Sequence, residues 1–447
     1  MFSKILIANR GEIALRIIRA ARELGLKTVA VYSKPDTSSL HTMLADEKIC
    51  IGPAKTSESY LNIPNIMSAA EITKADAIHP GYGFLAENPR FPEICESHGI
   101  AFIGPPSFLM RLMGDKSRAR LEMKKSKLPV IPGSDKTFDD ISEAKKVAQK
   151  IGFPVILKAK AGGGGKGMRI ARSATQLEEQ FPIAQREAEG AFGDPSLYLE
   201  KYISKARHIE IQVIGDKKGN ILVFAERECS IQRKYQKLLE ETPSPFIDEK
   251  LRKKMMKAVQ ESARFIGYQS LGTFEFLVDE QKKFYFMEAN TRVQVEHPIT
   301  EMIYDLDLIK EQIKIAAGEK LSFSLNLRRR GHSLECRINA EDAETFIPSP
   351  GKIDFLVLPG GEGIRVDSAA YCGWQIPPDY DSLVAKIVAF APSRQESIKK
   401  MQTALEMTTV VGIKTNIPLH LGFLSNSSFI KGDYDIQFME RFLKKQK

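Results

Sequence analysis

The chain has 447 residues, 43% hydrophobic and 27% charged, with a formal net charge of +9. That length exceeds what one hydrophobic core organises and predicts roughly two to four domains, while no apolar run approaches the ~20 residues of a membrane span. The basic residues are spread along the sequence, apart from short runs such as Arg328-Arg329-Arg330, and are not interleaved with stacking aromatics. Neither nucleic acid nor a membrane is therefore expected as a partner, and anionic substrates or an acidic protein account for the charge.

In chain order, the N-terminus opens as a strand over residues 5–8 without signal-peptide flanks. Ile13, Ile17, Ala21 and Leu24 then recur at helical spacing, and residues 28–32 form the next strand. Strands at 75–78 and 100–103 extend a parallel βαβ sheet of the α/β class. Residues 81–86 match G-x-G-x-x-A after a strand, but no ribose-binding acid follows at the proper distance, so nicotinamide chemistry is set aside. A first boundary falls near 104–107. Beyond it lie a helix holding Asp115 and Lys116, a helix over 139–151 and a strand over 154–159.

Residues 158–168 then form a hairpin-like glycine loop ending in a strand over 168–171. Consecutive glycines let backbone N–H groups surround an anion. Lys166 is followed by Gly167 and not by Ser or Thr, so the loop is no Walker A motif and reads as a lid over ATP phosphates. A mobile surface hairpin is the plainer alternative. Lys116 and Lys158 are placed to meet phosphate oxygens as point charges.

Strands dominate 196–228 and 271–289, and helices cover 248–266 and 298–317. Residues 199–203 lead a strand toward polar residues, as a linker lining an adenine slot would. On 207–213, alternation puts His208, Glu210 and Gln212 on one face and Ile209, Ile211 and Val213 on the other. Residues 228–237 pack polar and basic groups closely, ending at Lys237. The segment 284–297 begins as an aromatic strand and delivers Glu288, Asn290, Arg292, Gln294 and Glu296 at every second position. Two of these are hard-cation ligands, Arg292 is an anion clamp and Glu296 a base. A hairpin with 271–278 sets Glu275 opposite Glu288, and like charges so opposed call for a cation such as Mg²⁺ between them. An ordinary wet hairpin is the competing reading, and the flanking phenylalanines argue against it. A second boundary lies at 325–330, and the tail mixes strands at 334–340 and 383–390 with helices. The five cysteines form no C-x-x-C pair, so a reducing, cytoplasmic setting is expected.

Taken together these motifs resemble the biotin carboxylases of the ATP-grasp superfamily. The matching stretches are Ile7 to Ala14, His79 to Asn88, Gly114-Asp115-Lys116, the 162–167 loop, Glu288 to His297 and Glu335 to Glu341. The resemblance implies a mixed α/β chain with α+β parts. It divides into a Rossmann-like pre-ATP-grasp domain (1–114), an ATP-grasp domain (115–320, its mobile lid about 130–203) and a C-terminal biotin carboxylase domain (331–447). It implies ATP contacts at Lys116, Lys158, Gly164, Gly165, Glu200, Lys201, Tyr202, Ile203, His208, Tyr235, Glu275 and Glu288. A pair of Mg²⁺ or Mn²⁺ ions falls to Glu275, Glu288 and Asn290, bicarbonate to Lys237, Arg292, Gln294 and Val295, and biotin to Arg337 and Tyr82. Arg292, Glu296, Arg337 and Lys237 become the catalytic set, with Glu296 the general base. Expected partners are a biotin carboxyl carrier protein, carboxyltransferase subunits and a second copy of the chain. With no Met-Lys-Met biotinylation segment in the sequence, a stand-alone subunit of a bacterial-type acetyl-CoA carboxylase is the expectation. The sequence departs from the family pattern at Tyr235 (usually His), Glu362 (often aromatic, near the dimer contact) and Ala289 (usually larger). A carboxylate–amine ligase and a non-catalytic nucleotide module are the rival readings.

Overall fold

In the computed structural model, which describes residues 1–134, 136–160, 168–323 and 327–446, the N-terminal strand occupies the middle of a parallel sheet. Its strands are β1 (Lys4–Ile7), β2 (Lys27–Ser33), β3 (Glu47–Gly52), β4 (Ala77–His79) and β5 (Ala101–Phe102), in the order β3-β2-β1-β4-β5. Ile5, Leu6 and Ile7 are fully buried because both faces of β1 are covered, as parallel sheets require. Helix α1 (Gly11–Glu23) buries Ile13, Ile17 and Ala21 against this sheet. The loop after β4 is held by Asn9, whose amide donates to the carbonyls of Pro80 (2.6 Å) and Tyr82 (2.7 Å). Gly81 has φ +64°, and a Cβ there would sit 3.0 Å from that amide, so only glycine fits the turn. Residues 81–88 form turns and the next helix starts at Arg90. The G-x-G-x-x-A string thus builds a clamped turn.

The largest element is a nine-stranded sheet. Seven strands come in sequence as β9 (Ala206–Gly215), β10 (Ile221–Val223), β11 (Arg227–Arg233), β12 (Gln236–Thr242), β13 (Ser270–Asp279), β14 (Phe284–Asn290) and β15 (His332–Asn339). The path runs β14-β13-β9-β11-β12-β15 and on to two strands of the tail, 383–391 and 364–368, with β10 beside β9. The sheet therefore joins strands from both sides of the boundary expected at 325–330. Period-2 alternation divides its functions. Ile209, Ile211 and Val213 of β9 and Phe274 and Phe276 of β13 pack on Met255 and Val259 of the helix Glu249–Phe265. The other face carries His208, Glu210, Gln212, Thr273 and Glu275. Dry packing on one side thus fixes the register that aligns the polar row on the other.

A separate three-stranded antiparallel sheet is built from β6 (Val155–Ala159), β7 (Met168–Ala171) and β8 (Leu197–Lys201), ordered β7-β6-β8 and flanked by helices Ile141–Ile151 and Ala174–Phe192. It frames the glycine loop, whose Gly164 and Gly165 lie outside the described residues. The polar and basic stretch over 228–237 includes the β11–β12 hairpin, with Lys234 (φ +48°) and Tyr235 (φ +65°) exposed at its turn, while Glu228 is buried and Lys237 meets Glu210 inside the protein. One expectation changes. The helix expected over 298–317 is two helices, His297–Tyr304 and Leu308–Ala316, broken at Asp305 (φ +55°) and restarted by an Asp307 N-cap.

Candidate active site

Four charged residues stand in one row across the sheet, since Arg227 pairs with Glu210, Glu210 with Glu275, and Glu275 with Glu288. The opposition of Glu275 and Glu288 expected from the hairpin is present. Each carboxylate has its own partners, however. Glu275 accepts from the Asn290 amide (2.7 Å) and the Gln294 amide (2.9 Å) and lies 3.2 Å from His208 Nε2. Glu288, more exposed, pairs with Lys116 Nζ at 3.0 Å. His208 also lies 3.1 Å from Glu210. Burial pulls the imidazole down, but Glu275 and Glu210 outweigh it and raise its pKa to about 9, so His208 is a buried cation at neutral pH.

The strict alternation ends at Asn290. The chain bends at 291–292, turns, and enters a helix at His297. Arg292 is held by Glu87 (Nε–Oε2 2.9 Å), by Asn290 Oδ1 (3.0 Å) and by Gln294 Oε1 (3.1 Å). The turn brings Glu296 fully inside, where Lys237 Nζ donates to one oxygen at 2.7 Å and Arg337 Nη2 to the other at 2.9 Å. Lys237 also meets Glu210 and lies 3.4 Å from Glu275. One ammonium thus serves three carboxylates, and burial, which opposes its charge, is outweighed so far that its pKa stands well above normal. Among the described residues two sets of acidic, His or Cys groups are dense enough to hold a metal, His208–Glu210–Glu275 and Glu210–Cys229–Glu296. The Lys237 ammonium lies against both, so neither is a natural cation seat. Glu275, Glu288 and Asn290 offer oxygen donors, the kind a hard dication takes, although Glu275 lies 3.4 Å from Lys237 and Glu288 3.0 Å from Lys116, so an ion there would compete with both ammonium groups.

The nucleotide residues expected from sequence approach this centre from the smaller sheet. Lys158 on β6 bonds Glu200 on β8, and Arg120 lies 3.6 Å from the same carboxylate. Lys116, Ser134, Lys136 and Tyr198 line a cleft beside them. Lys201 points away, donating to the carbonyls of Gly152 (2.9 Å) and Phe153 (2.8 Å), so any ligand contact there comes from its backbone. Tyr202 and Ile203 follow in the link to β9. Tyr235 is 63% exposed; partial burial pushes its phenol up while nearby Lys158 pulls against it.

Val295 offers its carbonyl to Lys386 Nζ at 2.9 Å. Lys386, fully buried, lies 3.1 Å from Glu12, and Glu12 accepts from the Tyr82 hydroxyl. Tyr82 is thereby tied to the loop that carries Val295 and Glu296. Sequence reasoning missed Glu87, Glu210, Glu240 and Lys386 as site residues. Glu240 binds Arg337 Nε at 2.7 Å. Glu210 carried a signal, its place on the His208 face. The others lie on separate segments, and only the fold brings them in.

Family models match the chain over residues 1–110 (biotin carboxylase, N-terminal domain), 115–324 (carbamoyl-phosphate synthase L chain, ATP binding domain) and 335–441 (biotin carboxylase C-terminal domain). The biotin carboxylase of Haemophilus influenzae is 52% identical over 445 residues, covering 99% of each chain. A pyruvate carboxylase component of Methanothermobacter thermautotrophicus is 50% identical, covering 99% of this chain and 90% of the relative. Among solved structures, a Campylobacter jejuni biotin carboxylase–ATP complex superposes with a TM-score of 0.96 at 50% identity, covering 99% of each chain. The biotin carboxylase domain dimer of Hydrogenobacter thermophilus 2-oxoglutarate carboxylase, bound to MgADP, ADP and bicarbonate, gives 0.94 at 48%, covering 99% of this chain and 98% of that one. The chain belongs to the biotin carboxylase family of the ATP-grasp superfamily.

Proposed function

We propose that this protein carboxylates biotin on a carrier protein at the expense of ATP and bicarbonate, with Glu296, Lys237, Arg292 and Arg337 as its catalytic residues. The observation that carries the reading is the Glu296 carboxylate, fully buried and gripped by Lys237 and Arg337 at 2.7 and 2.9 Å. A base so held has both of its oxygens occupied until an anionic substrate draws the two cations away. Bicarbonate takes Lys237, Arg292, Gln294 and the Val295 backbone as its contacts and yields its proton to Glu296. Its oxygen then attacks the γ-phosphorus, and ADP leaves with the electron pair of the broken bond. The carboxyphosphate formed breaks into CO₂ and phosphate, the phosphate takes the proton from biotin N1, and Arg337 faces the ureido oxygen as its charge develops, with Tyr82 alongside; N1 then attacks the carbon of CO₂ to give carboxybiotin, leaving the protonated phosphate.

Lys116, Lys158, Glu200 to Ile203, His208 and Tyr235 hold the nucleotide. Mg²⁺ or Mn²⁺, held by Glu275, Glu288 and Asn290, supplies charge neutralisation on the phosphates. Residues 1–114, 115–320 and 331–447 act as the three units of the enzyme, with 130–203 as the lid. The partners are a biotin carboxyl carrier protein, a carboxyltransferase and a second copy of the chain, and the setting is cytoplasmic. Among the described residues no helix is long and apolar enough to cross a membrane. Acetyl-CoA carboxylase is the complete enzyme we assign; co-purification with a carrier and its carboxyltransferase distinguishes it from a pyruvate carboxylase. The decisive assay is ATP cleavage that requires bicarbonate and Mg²⁺ and is stimulated by free biotin, with carboxybiotin as product. ATP cleavage indifferent to bicarbonate would sink the reading.

A further inference from the structure

Behind Arg337 lies a second pair of carboxyl groups that the reaction does not use. Glu240 on β12 and Glu335 on β15 are direct cross-strand partners, and both are fully buried. Side chains so opposed stand about 5 Å apart at Cβ. Glu240 directs one oxygen, Oε1, at Arg337, taking the bond from Nε at 2.7 Å and the contact from Nη2. Its other oxygen, and both oxygens of Glu335, have no hydrogen-bond partner among the described residues. Three buried carboxyl oxygens without a donor would be untenable if both groups were anions.

We propose that Glu240 and Glu335 share one proton, carried by Glu335 and donated to the free oxygen of Glu240, and that this makes Glu240 a positioning residue that fixes the plane of the Arg337 guanidinium. A single proton answers the orphaned Glu240 oxygen and leaves its partner oxygen fully charged for Arg337. The charged groups that face the pair are Arg337, Lys237, Glu296 and, beside β15, Lys386; Lys386 is itself flanked by Glu12 and Asp367. Burial raises the Glu335 carboxyl well above its ordinary value, and burial likewise holds Glu240 up at about 7 against the pull of Arg337. The two cannot both ionise cheaply, so they titrate as a pair. With the proton lost, Arg337 would answer to two anions behind it as well as Glu296, and less of its charge would reach a ligand.

The inference rests on the proposed role of Arg337 toward biotin, but its first test does not. Infrared difference spectra of the ligand-free enzyme should show a protonated carboxylic-acid carbonyl band at neutral pH that is missing from Glu335→Gln, and missing from Glu335→Leu should the glutamine variant not fold. Identical spectra overturn the shared proton, whatever Arg337 does. Kinetics supply the second test. Glu240→Gln should lower kcat/KM for biotin by roughly tenfold to a hundredfold, the scale of a lost charge-assisted hydrogen bond, while the KM for ATP holds. Glu335→Gln, which keeps a donor facing Glu240, should rescue most of what Glu335→Leu loses, and it should lack the alkaline fall in kcat/KM that the shared proton predicts for wild type. A glutamine variant as slow as the leucine variant, with an unchanged alkaline limb, defeats the proposal. Biotin kinetics indifferent to Glu240 while the band persists would instead fault the role given to Arg337.

Discussion

Lys237 donates to Glu296 at 2.7 Å while also contacting Glu210 and Glu275. The residue that holds the base is therefore the same one that neutralises the centre of the polar row. Replacing the base and replacing its holder should have different consequences. Glu296→Gln should reduce carboxybiotin formation by roughly 10²–10⁴-fold, the usual contribution of a positioned general base, with nucleotide affinity intact. Lys237→Gln should do comparable damage and also loosen the fold, because Glu210 and Glu275 stay buried without their ammonium. Steady-state kinetics with denaturant melts separate the two; equal stability losses would contradict this division.

The two opposed carboxylates, Glu275 and Glu288, differ in setting, and their variants should differ too. Glu288 has Lys116 as its ionic partner and is 35% exposed at its side chain. Glu288→Gln should raise the Mg²⁺ concentration needed for half-maximal activity and leave stability within about 0.5 kcal/mol. Glu275 is buried against His208 and Lys237. Glu275→Gln should add a stability loss of about 3–5 kcal/mol, the cost of leaving buried charges uncompensated. Mg²⁺ titrations of activity, run beside chemical unfolding, read both quantities. A Glu288 variant with unaltered Mg²⁺ demand would remove it from the metal set.

How much of this was legible beforehand follows sequence separation. The Glu275–Glu288 opposition could be read because one short hairpin makes it, and the His208 face because a strand alternates. The α/β sheet at the N-terminus and the segment joining two strands around the glycine loop were equally local readings. The β12 strand was not, since Lys237, Glu240 and Glu241 look like solvent-facing charges until Glu210, Arg337 and Arg394 come in from elsewhere in the chain. Alternation also overran its true end. Nothing in Arg292, Gln294 and Glu296 as residue types signals that the backbone turns inward after Asn290; that turn depends on Glu87, which accepts from the Thr291 backbone at 3.0 Å. Family resemblance supplied the roles, and local physics supplied the strands that carry them.

The apolar face behind the site has its own test. Phe274 is fully buried between Tyr268 and Phe286, with ring centroids 5.9 Å from each. It alternates with Thr273 and Glu275, so its packing sets the height and register of the acidic row. Phe274→Ala should cost about 3–5 kcal/mol of stability through lost burial and a residual cavity. Phe274→Leu should cost less and keep activity near wild type. Urea melts measure the first effect and turnover the second. A Phe274→Ala protein of wild-type stability would mean that the sheet is held by something other than this face.

Acid stability should turn on Glu241, which alternates with Glu240 on β12 and so points to the other face of the strand. Glu241 is fully buried. It accepts from Arg394 Nε and Nη2 at 2.6 and 3.0 Å and from the Tyr434 hydroxyl, and it lies 2.9 Å from His332 Nε2. Burial alone would push its carboxyl up. The close contact with the His332 ring and the Arg394 charge prevail and bring it down from 4.5 to about 2. The depressed value means that Glu241 stabilises the fold above pH 4.5 and that this contribution is lost as pH falls toward 2. Glu241→Gln should therefore be less stable than wild type near neutrality. The gap should close on acidification by at most about 1.4 kcal/mol per pH unit, the limit for one proton. Unfolding curves for both proteins across that window decide the matter: a gap that stays constant with pH would show that Arg394 and His332 do not hold this carboxylate in its charged form.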